Sequence, residues 1–556
     1  MRFSTLLVGA LFGVQASALG RTPTISELRA KTEELKASRI SRSLVKRDID
    51  PEDLYTGHNL SVPLDFFQNE TRYEPHTNAT FNLRYFFDAQ YYKPGGPVFV
   101  LLSGETSAVN RLGFLQKGIV NQVAKATNGI GVILEHRYYG TSHPFLNVTT
   151  PNLRFLSTEQ SLAEIDYFAR NVKFEGIDAD LTAPKTPWIV YGGSYAGAQA
   201  AFLRVAYPDT FLGTISSSGV TAAIWSYPDY FYPIQDFAPP DCISATETLI
   251  DVIDGILIRQ NSTALVKQLK DTFGLGGVTD NRDFANIVGG SGVPGWQSTN
   301  WDPELNSPTT YYYCGNMSAT GLVDPAYESK RSAVQNLTTA AGYKANDTAV
   351  ENVILNSIAY YGGSSVANWN KSGQTQDEYF SQLNDTFWQQ VDLDAAETWR
   401  SWSYQVCTEW GYIQNGADYA QSRKPIVSRI LDVAYLTYFC KSSFNLTTPA
   451  AVENVNKYGG FEIEAPRLAI IGGNADPWKM ASPLRDGPQT RNSTTEKPWL
   501  EIAHGVHHWE ENGIFDNETT PTVPPPQVVY AQQFLKNFVI DWLKEFESGS
   551  SENTEL

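Results

Sequence analysis

The chain has 556 residues, of which 42 % are hydrophobic, 13 % aromatic and 18 % charged, and its formal net charge is −18. That length holds roughly two to four domains, and a field this negative excludes nucleic acid and anionic membrane as partners. No stretch approaches the roughly eighteen unbroken apolar residues of a membrane span.

The first residues read as targeting rather than fold. Arg2 precedes an apolar run from Leu6 to Val14, and Ala16-Ser17-Ala18 has the small-x-small form of a cleavage site. Residues 1–18 are expected to be a signal peptide and 19–47 a propeptide, ending in Lys46-Arg47 just before Asp48-Ile49-Asp50. Residues 1–47 carry nine Lys/Arg and three Asp/Glu, so losing their net +6 takes the chain from −18 to −24. Such a surface suits an acidic medium, where protonation relieves self-repulsion.

Secretion has independent support. Asn-x-Ser/Thr sequons fall at Asn59, Asn69, Asn78, Asn147, Asn261, Asn316, Asn336, Asn346, Asn370, Asn384, Asn445, Asn492 and Asn517. Four cysteines, Cys242, Cys314, Cys407 and Cys440, imply two disulfides with three connectivities open. Pairing neighbours, Cys242 with Cys314 and Cys407 with Cys440, closes the shorter loops and is the expected pattern. Their spacing matches no zinc site, and neither a metal nor a cofactor is expected.

Along the chain, residues 60–94 read as antiparallel strand material, in which Thr80 to Phe86 roughly alternates and Lys93-Pro94-Gly95-Gly96 is a turn. Pro97 to Leu102 and Gly129 to Leu134 are continuous apolar runs, which predict buried strands, with a helix at about Phe114 to Ala126 between them. Thr158 to Asn171 has a helical face of Leu162, Ile165 and Phe168. A strand at Trp188 to Tyr191, a helix from Ala198 and a strand at Gly213 to Ser216 follow. This alternation predicts a parallel α/β sheet.

Residues 220–425 have helical period and long connections and predict an inserted, mainly helical cap, with 287–316 an irregular loop. The sheet resumes with Arg467 to Gly473 and Pro498 to Ile502, and a helix spans about Gln527 to Phe546. The expected plan is an α/β-hydrolase domain in two parts, 48–219 and 426–547, around the cap. The polar tail 548–556 is expected to be disordered.

Within this plan Gly192-Gly193-Ser194-Tyr195-Ala196-Gly197 reads as a nucleophile elbow: a serine on a sharp strand-to-helix turn whose neighbours must be small. Ala196 stands where the pattern has its second glycine. A serine needs a base. Asp476, followed by Pro477, comes just after one late strand, and Ala503-His504-Gly505-Val506-His507-His508-Trp509 just after the other. Three of the seven histidines lie in that segment. A histidine would take the Ser194 proton, Asp476 would fix its tautomer, and the backbone N–H groups of Tyr195 and Glu105 would form the oxyanion hole.

Several further motifs then carry a resemblance. These are Phe81-x-x-Arg84-Tyr85-Phe86, Gly95-Gly96-Pro97 with Gly104-Glu105, Glu135-His136-Arg137-Tyr138-Tyr139-Gly140, Leu153 to Gln160, Cys407-Thr408-Glu409-Trp410-Gly411, Asp476-Pro477-Trp478 and Val506-His507-His508. In content and order the chain from about 60 to 545 resembles the serine peptidases of the family of lysosomal Pro-X carboxypeptidase, dipeptidyl peptidase II and fungal acid prolyl endopeptidases.

The resemblance implies a capped α/β-hydrolase that cleaves after proline, with Ser194, Asp476 and His507 as the triad. It selects His507 over His508 as the base. Trp509-Glu510-Glu511 departs from the family pattern. Glu409 and Trp478 are candidate substrate-binding residues, whereas Arg137, Tyr138 and Tyr139 read as structural. The expected partners are proline-rich peptides or proteins, met by a monomer or homodimer outside the cell or in an acidic vacuolar or lysosomal compartment. The competing readings are a secreted esterase or lipase on the same fold and a binding protein without chemistry.

Overall fold

An eight-stranded sheet forms the centre of the molecule, in the order β1-β2-β4-β3-β5-β6-β9-β10. The strands are β1 His58–Pro63, β2 Thr80–Asp88, β3 Val98–Leu102, β4 Ile130–Leu134, β5 Trp188–Gly193, β6 Gly213–Ser217, β9 Leu468–Gly473 and β10 Trp499–Ile502. The computed structural model describes residues 24–29, 31, 51–487 and 491–552. The expected signal peptide and the pair Lys46-Arg47 lie outside the described residues.

The apolar runs explain the sheet. Every residue of β3, β4, β5, β6 and β9 is buried, as parallel strands covered on both faces require. β1 at one edge mixes exposed with buried positions and pairs antiparallel with β2, which is itself antiparallel to β4. From β4 to β10 all pairs are parallel. The period of two along β3 divides its side chains. Val98, Val100 and Leu102 enter one core with α2 (Thr158–Asn171) and α3 (Tyr195–Ala206); Phe99 and Leu101 enter another, with α1 (Ile119–Thr127) and α4 (Pro526–Glu552). This is the α/β-hydrolase fold.

Between β6 and β9 the described chain is mainly helical, with long members at Pro240–Asp254, Arg331–Ala341 and Thr348–Tyr361. The neck of this insertion is a two-stranded parallel ribbon of β7 (Ile224–Ser226) and β8 (Gly411–Ile413). Gly411 is required there, since a Cβ would stand 2.4 Å from the Ile224 carbonyl oxygen at a φ of +75°. Both expected disulfides are present, Cys242–Cys314 within the insertion and Cys407–Cys440 across its exit.

Three expectations need correction. The expected boundary at 425 comes too early, because residues beyond it still pack on the cap. Tyr435 Oη donates to Asp283 Oδ1 at 2.6 Å, Ser442 Oγ to Asp385 Oδ1 at 2.6 Å, and Cys440 is bonded to Cys407. The stretch 287–316 is not wholly irregular, since Thr309–Met317 is helical. The last helix continues to Glu552, into the tail expected to be disordered from 548. No proline interrupts it, and each added residue extends the hydrogen-bond ladder.

Candidate active site

The elbow forms because the sequence is small where the chain is crowded. Ser194 joins β5 to α3 with φ 63° and ψ −125°, a conformation that ordinary residues avoid. A Cβ at Gly192 would lie 1.9 Å from the Ala196 carbonyl oxygen, so a glycine is obligatory there. The Ser194 N–H donates to Ser217 O on β6 at 2.9 Å, which pins the turn to the sheet.

The loops after β9 and β10 deliver the other two side chains. They are tied together at their roots. Ala475 N–H donates to Gly505 O at 3.0 Å, and His504 N–H donates to Asn474 Oδ1 at 2.7 Å. His507 Nε2 then lies 2.8 Å from Ser194 Oγ, and His507 Nδ1 lies 2.9 Å from Asp476 Oδ2. Asp476 Oδ1 accepts the Trp478 N–H at 2.9 Å, which fixes the carboxylate plane. The three groups are 6 %, 6 % and 1 % exposed for Ser194, His507 and Asp476. A serine hydroxyl, an imidazole and a buried carboxylate in this sequence of contacts can move a proton off Ser194 and stabilise the imidazolium that results.

The cap loop buttresses both delivering loops, a role that no motif in the sequence announces. Trp296 Nε1–H donates to Ala475 O at 2.9 Å. Trp301 Nε1–H donates to Trp509 O, and Trp509 Nε1–H returns a bond to Thr299 O, each at 2.9 Å. Indole N–H groups satisfied in this way hold the apolar rings in place.

Tyr195 opens α3, so its backbone N–H has no partner within the helix. Gly104 has φ +67°, and a Cβ there would come 3.4 Å from the Ala196 Cβ, which places the loop after β3 beside the elbow. Glu105 follows on this loop and is buried. Burial pushes its carboxyl up to about 7, against weaker opposing pulls from its own backbone N–H, Arg111, His508 and Lys31. The Tyr195 hydroxyl belongs to a buried network with His136 Nε2 at 3.0 Å and Gln405 Nε2–H at 2.8 Å, and Gln405 Oε1 accepts from Tyr139.

A cavity of about 490 Å³ lies between the sheet and the cap, walled by Trp296, Trp399, Trp402, Tyr412 and Trp478 and reaching Glu105. Trp478 stacks on Tyr227 at 5.4 Å, and its Nε1–H donates to Gln297 Oε1 at 2.9 Å. Glu409 is placed elsewhere. Its Oε2 accepts the Thr158 N–H at 2.8 Å and the Thr158 hydroxyl at 2.9 Å, and its Oε1 lies 3.6 Å from Arg72. It caps α2 and does not face the cavity, because a helix N-terminus with free N–H groups attracts a carboxylate. Arg137 bridges Glu164 at 2.9 Å and the carbonyls of Leu64 and Phe155, which is a bracing role. None of the thirteen sequon asparagines is buried.

Comparison with known proteins agrees with this architecture. The pattern of the family described as Serine carboxypeptidase S28 matches residues 64–520. A "Probable extracellular serine carboxypeptidase" of Arthroderma benhamiae is 44 % identical over 540 residues, covering 97 % of this chain and 73 % of that protein. "Serine protease vicPa" of Bipolaris victoriae is 28 % identical, covering 78 % of this chain and 81 % of its own. The "Lysosomal Pro-X carboxypeptidase" of Pongo abelii is 25 % identical, covering 88 % and 89 %. With an elbow serine, a histidine and an aspartate meeting under a helical cap, and a family pattern across most of its length, the chain belongs to the serine carboxypeptidase S28 family and is a serine-type peptidase.

Proposed function

We propose that the protein is secreted and hydrolyses peptide bonds on the carboxyl side of proline through a Ser194–His507–Asp476 triad. The observation that carries this reading is the pair of contacts made by His507, 2.8 Å to Ser194 Oγ and 2.9 Å to Asp476 Oδ2, on an elbow of strained backbone. His507 Nε2 takes the proton as Ser194 Oγ attacks the scissile carbonyl carbon, and returns it to the leaving amine. Water then repeats the cycle on the acyl-enzyme, releasing the acid and freeing Ser194. Asp476 keeps the Nδ1–H tautomer. The N–H groups of Tyr195 and Glu105 receive the oxyanion.

The tryptophan-rich cavity wall supports a proline site, because an apolar ring buries well against indole faces. Trp478 is the residue assigned to that contact. Export is supported by the two disulfides, by the word "extracellular" in the name of the Arthroderma relative, and by the described residues having no helix long and apolar enough to cross a membrane.

The test places a fluorogenic proline-containing peptide beside a p-nitrophenyl ester. The peptide should be turned over with the higher kcat/KM, and mass spectrometry of the products should find proline at the new carboxyl end. Ester turnover without peptide cleavage would overturn the reading.

A further inference from the structure

The described part of the segment ahead of Lys46-Arg47 is built into the cleft. Thr24 and Glu27 cap each other: the Thr24 N–H donates to Glu27 Oε2 at 2.7 Å, and the Glu27 N–H donates to Thr24 Oγ1 at 3.3 Å. That box starts a short helix over 25–29. Its i, i+3 pair, Ile25 and Leu28, is 0 % and 3 % exposed and enters the same core as α2, α3 and the cap. Arg29 holds the cap side. It donates to Gln374 Oε1 at 2.7 Å and to Glu378 O at 3.1 Å, and lies 5.7 Å from the Phe387 ring centroid. Glu27, Leu28 and Lys31 form one wall of the cavity, with Glu105, Tyr139 and Trp402 among its other walls. Lys31 is near enough to act electrostatically on Glu105, beside the elbow.

We infer that the segment with the described residues 24–29 and 31 is an intramolecular ligand of the substrate cleft, an amphipathic peptide that keeps substrates out until the chain is cut between Arg47 and Asp48. The inference rests on the proposed active site. The cut is a hydrolysis by an endopeptidase specific for dibasic pairs: water adds across the bond, leaving a carboxylate on Arg47 and an ammonium on Asp48. Before it, the tether presents the segment at an effective concentration of roughly millimolar. After it, the segment dilutes away, because one short helix with two apolar anchors is marginal alone. The eight Lys/Arg and three Asp/Glu of residues 19–47, a net +5, against −24 for residues 48–556 favour docking while the segment is attached.

The experiment compares the cut chain with an uncut Lys46→Ala/Arg47→Ala chain. The uncut chain should show kcat/KM toward a proline-containing peptide about tenfold or more below the cut chain, as expected of a tethered competitor. A small fluorophosphonate should still label its Ser194. Adding Leu28→Asp to the uncut chain should restore activity, and Arg29→Ala should do so by removing only the cap contacts, which covers a fold disturbed by the aspartate. A synthetic peptide of residues 24–31 should raise KM of the cut chain without changing kcat. Equal kcat/KM in cut and uncut chains, or an uncut chain unmoved by both substitutions, would overturn the inference. Absence of labelling at Ser194 in both chains would instead remove the active-site reading, and the inference with it.

Discussion

His508 Nδ1 lies 2.6 Å from Glu511 Oε2, and that same oxygen stands 3.2 Å from where a Cβ would be on Gly193, the residue before the elbow serine. Burial opposes the charge on Glu511, yet His508 holds it below the usual carboxylate range. The two adjacent histidines therefore divide the work. His507 faces Ser194 and Asp476, while His508 shields a buried carboxylate beneath the turn, and its own N–H donates to Ser218 Oγ at 3.0 Å.

This division predicts different costs for two neighbouring substitutions. His507→Ala should abolish turnover, because the proposed triad loses its base. His508→Ala should retain much more activity but lose about 1–3 kcal/mol of stability, since the buried Glu511 carboxyl is left without its imidazole partner. Urea unfolding together with kcat separates the two effects. An inactive His508→Ala beside an active His507→Ala would move the base by one residue.

Asp476→Asn should lower kcat by up to about 10⁴-fold, because an amide cannot hold the Nδ1–H tautomer that the 2.9 Å contact selects. Ser194→Ala should be inactive yet folded. The double variant Ser194→Ala/His507→Ala should be little worse than either single one, since the residues act as a unit. Steady-state kinetics on one peptide decides this. Additive losses would mean that the two residues act in separate steps.

Glu105 should make the chemistry sensitive to pH. Its carboxyl, raised by burial to about 7, is neutral in acid and ionises as pH rises through that value. The groups acting on it are Arg111, His508 and Lys31, and it acts in turn on Tyr139 and Tyr195. A negative charge beside the loop proposed to receive the oxyanion would oppose the charge developing in the transition state, so kcat/KM should fall above about pH 7 and be flatter there in Glu105→Gln. The same shift bears on stability. The folded form holds its proton longer than the unfolded one, so this contribution is present below 4.5 and is lost as pH rises to about 7, on the order of 3 kcal/mol. Unfolding midpoints of parent and Glu105→Gln across that window read it directly.

His136 sets a limit at the acid end. Burial, with a lesser push from Arg137, lowers its imidazole to about 4, although its contact with the Arg137 carbonyl works the other way. The folded state holds it neutral, with Nε2 3.0 Å from the Tyr195 hydroxyl. This contribution is present above the ordinary 6.5 and is lost as pH falls toward about 4, again on the order of 3 kcal/mol. Thermal unfolding between pH 7 and 4 should show the loss. His136→Gln should reduce the slope in that interval, and an unchanged slope would place the acid sensitivity elsewhere.

The sequence by itself determined the sheet strands and the places where side chains leave them. Val98 to Leu102 and Leu468 to Gly473 are apolar throughout, and only a strand covered on both faces satisfies such runs. Gly192, Ser194 and Gly197 announce a turn that no bulky residue could make, and Asp476 and His507 stand just past apolar runs, where loops leave the sheet. Those features are local, and so they are legible in one dimension. The disulfide pairs followed from short loops alone.

Only the tertiary structure decided what depends on contacts between distant residues. Glu409 reads in the sequence as a candidate ligand for substrate, until the approach of Thr158 from 251 positions away places its oxygens on α2. The cap's continuation past 425 rests on Tyr435 reaching Asp283 and on Cys440 reaching Cys407. The tryptophans that steady the site lie in a stretch whose composition says only loop. Their meaning comes from the carbonyls of Ala475 and Trp509 that fold against them. A hydrogen bond between such separated groups leaves no periodicity in the sequence, because neither partner constrains its own neighbours along the chain.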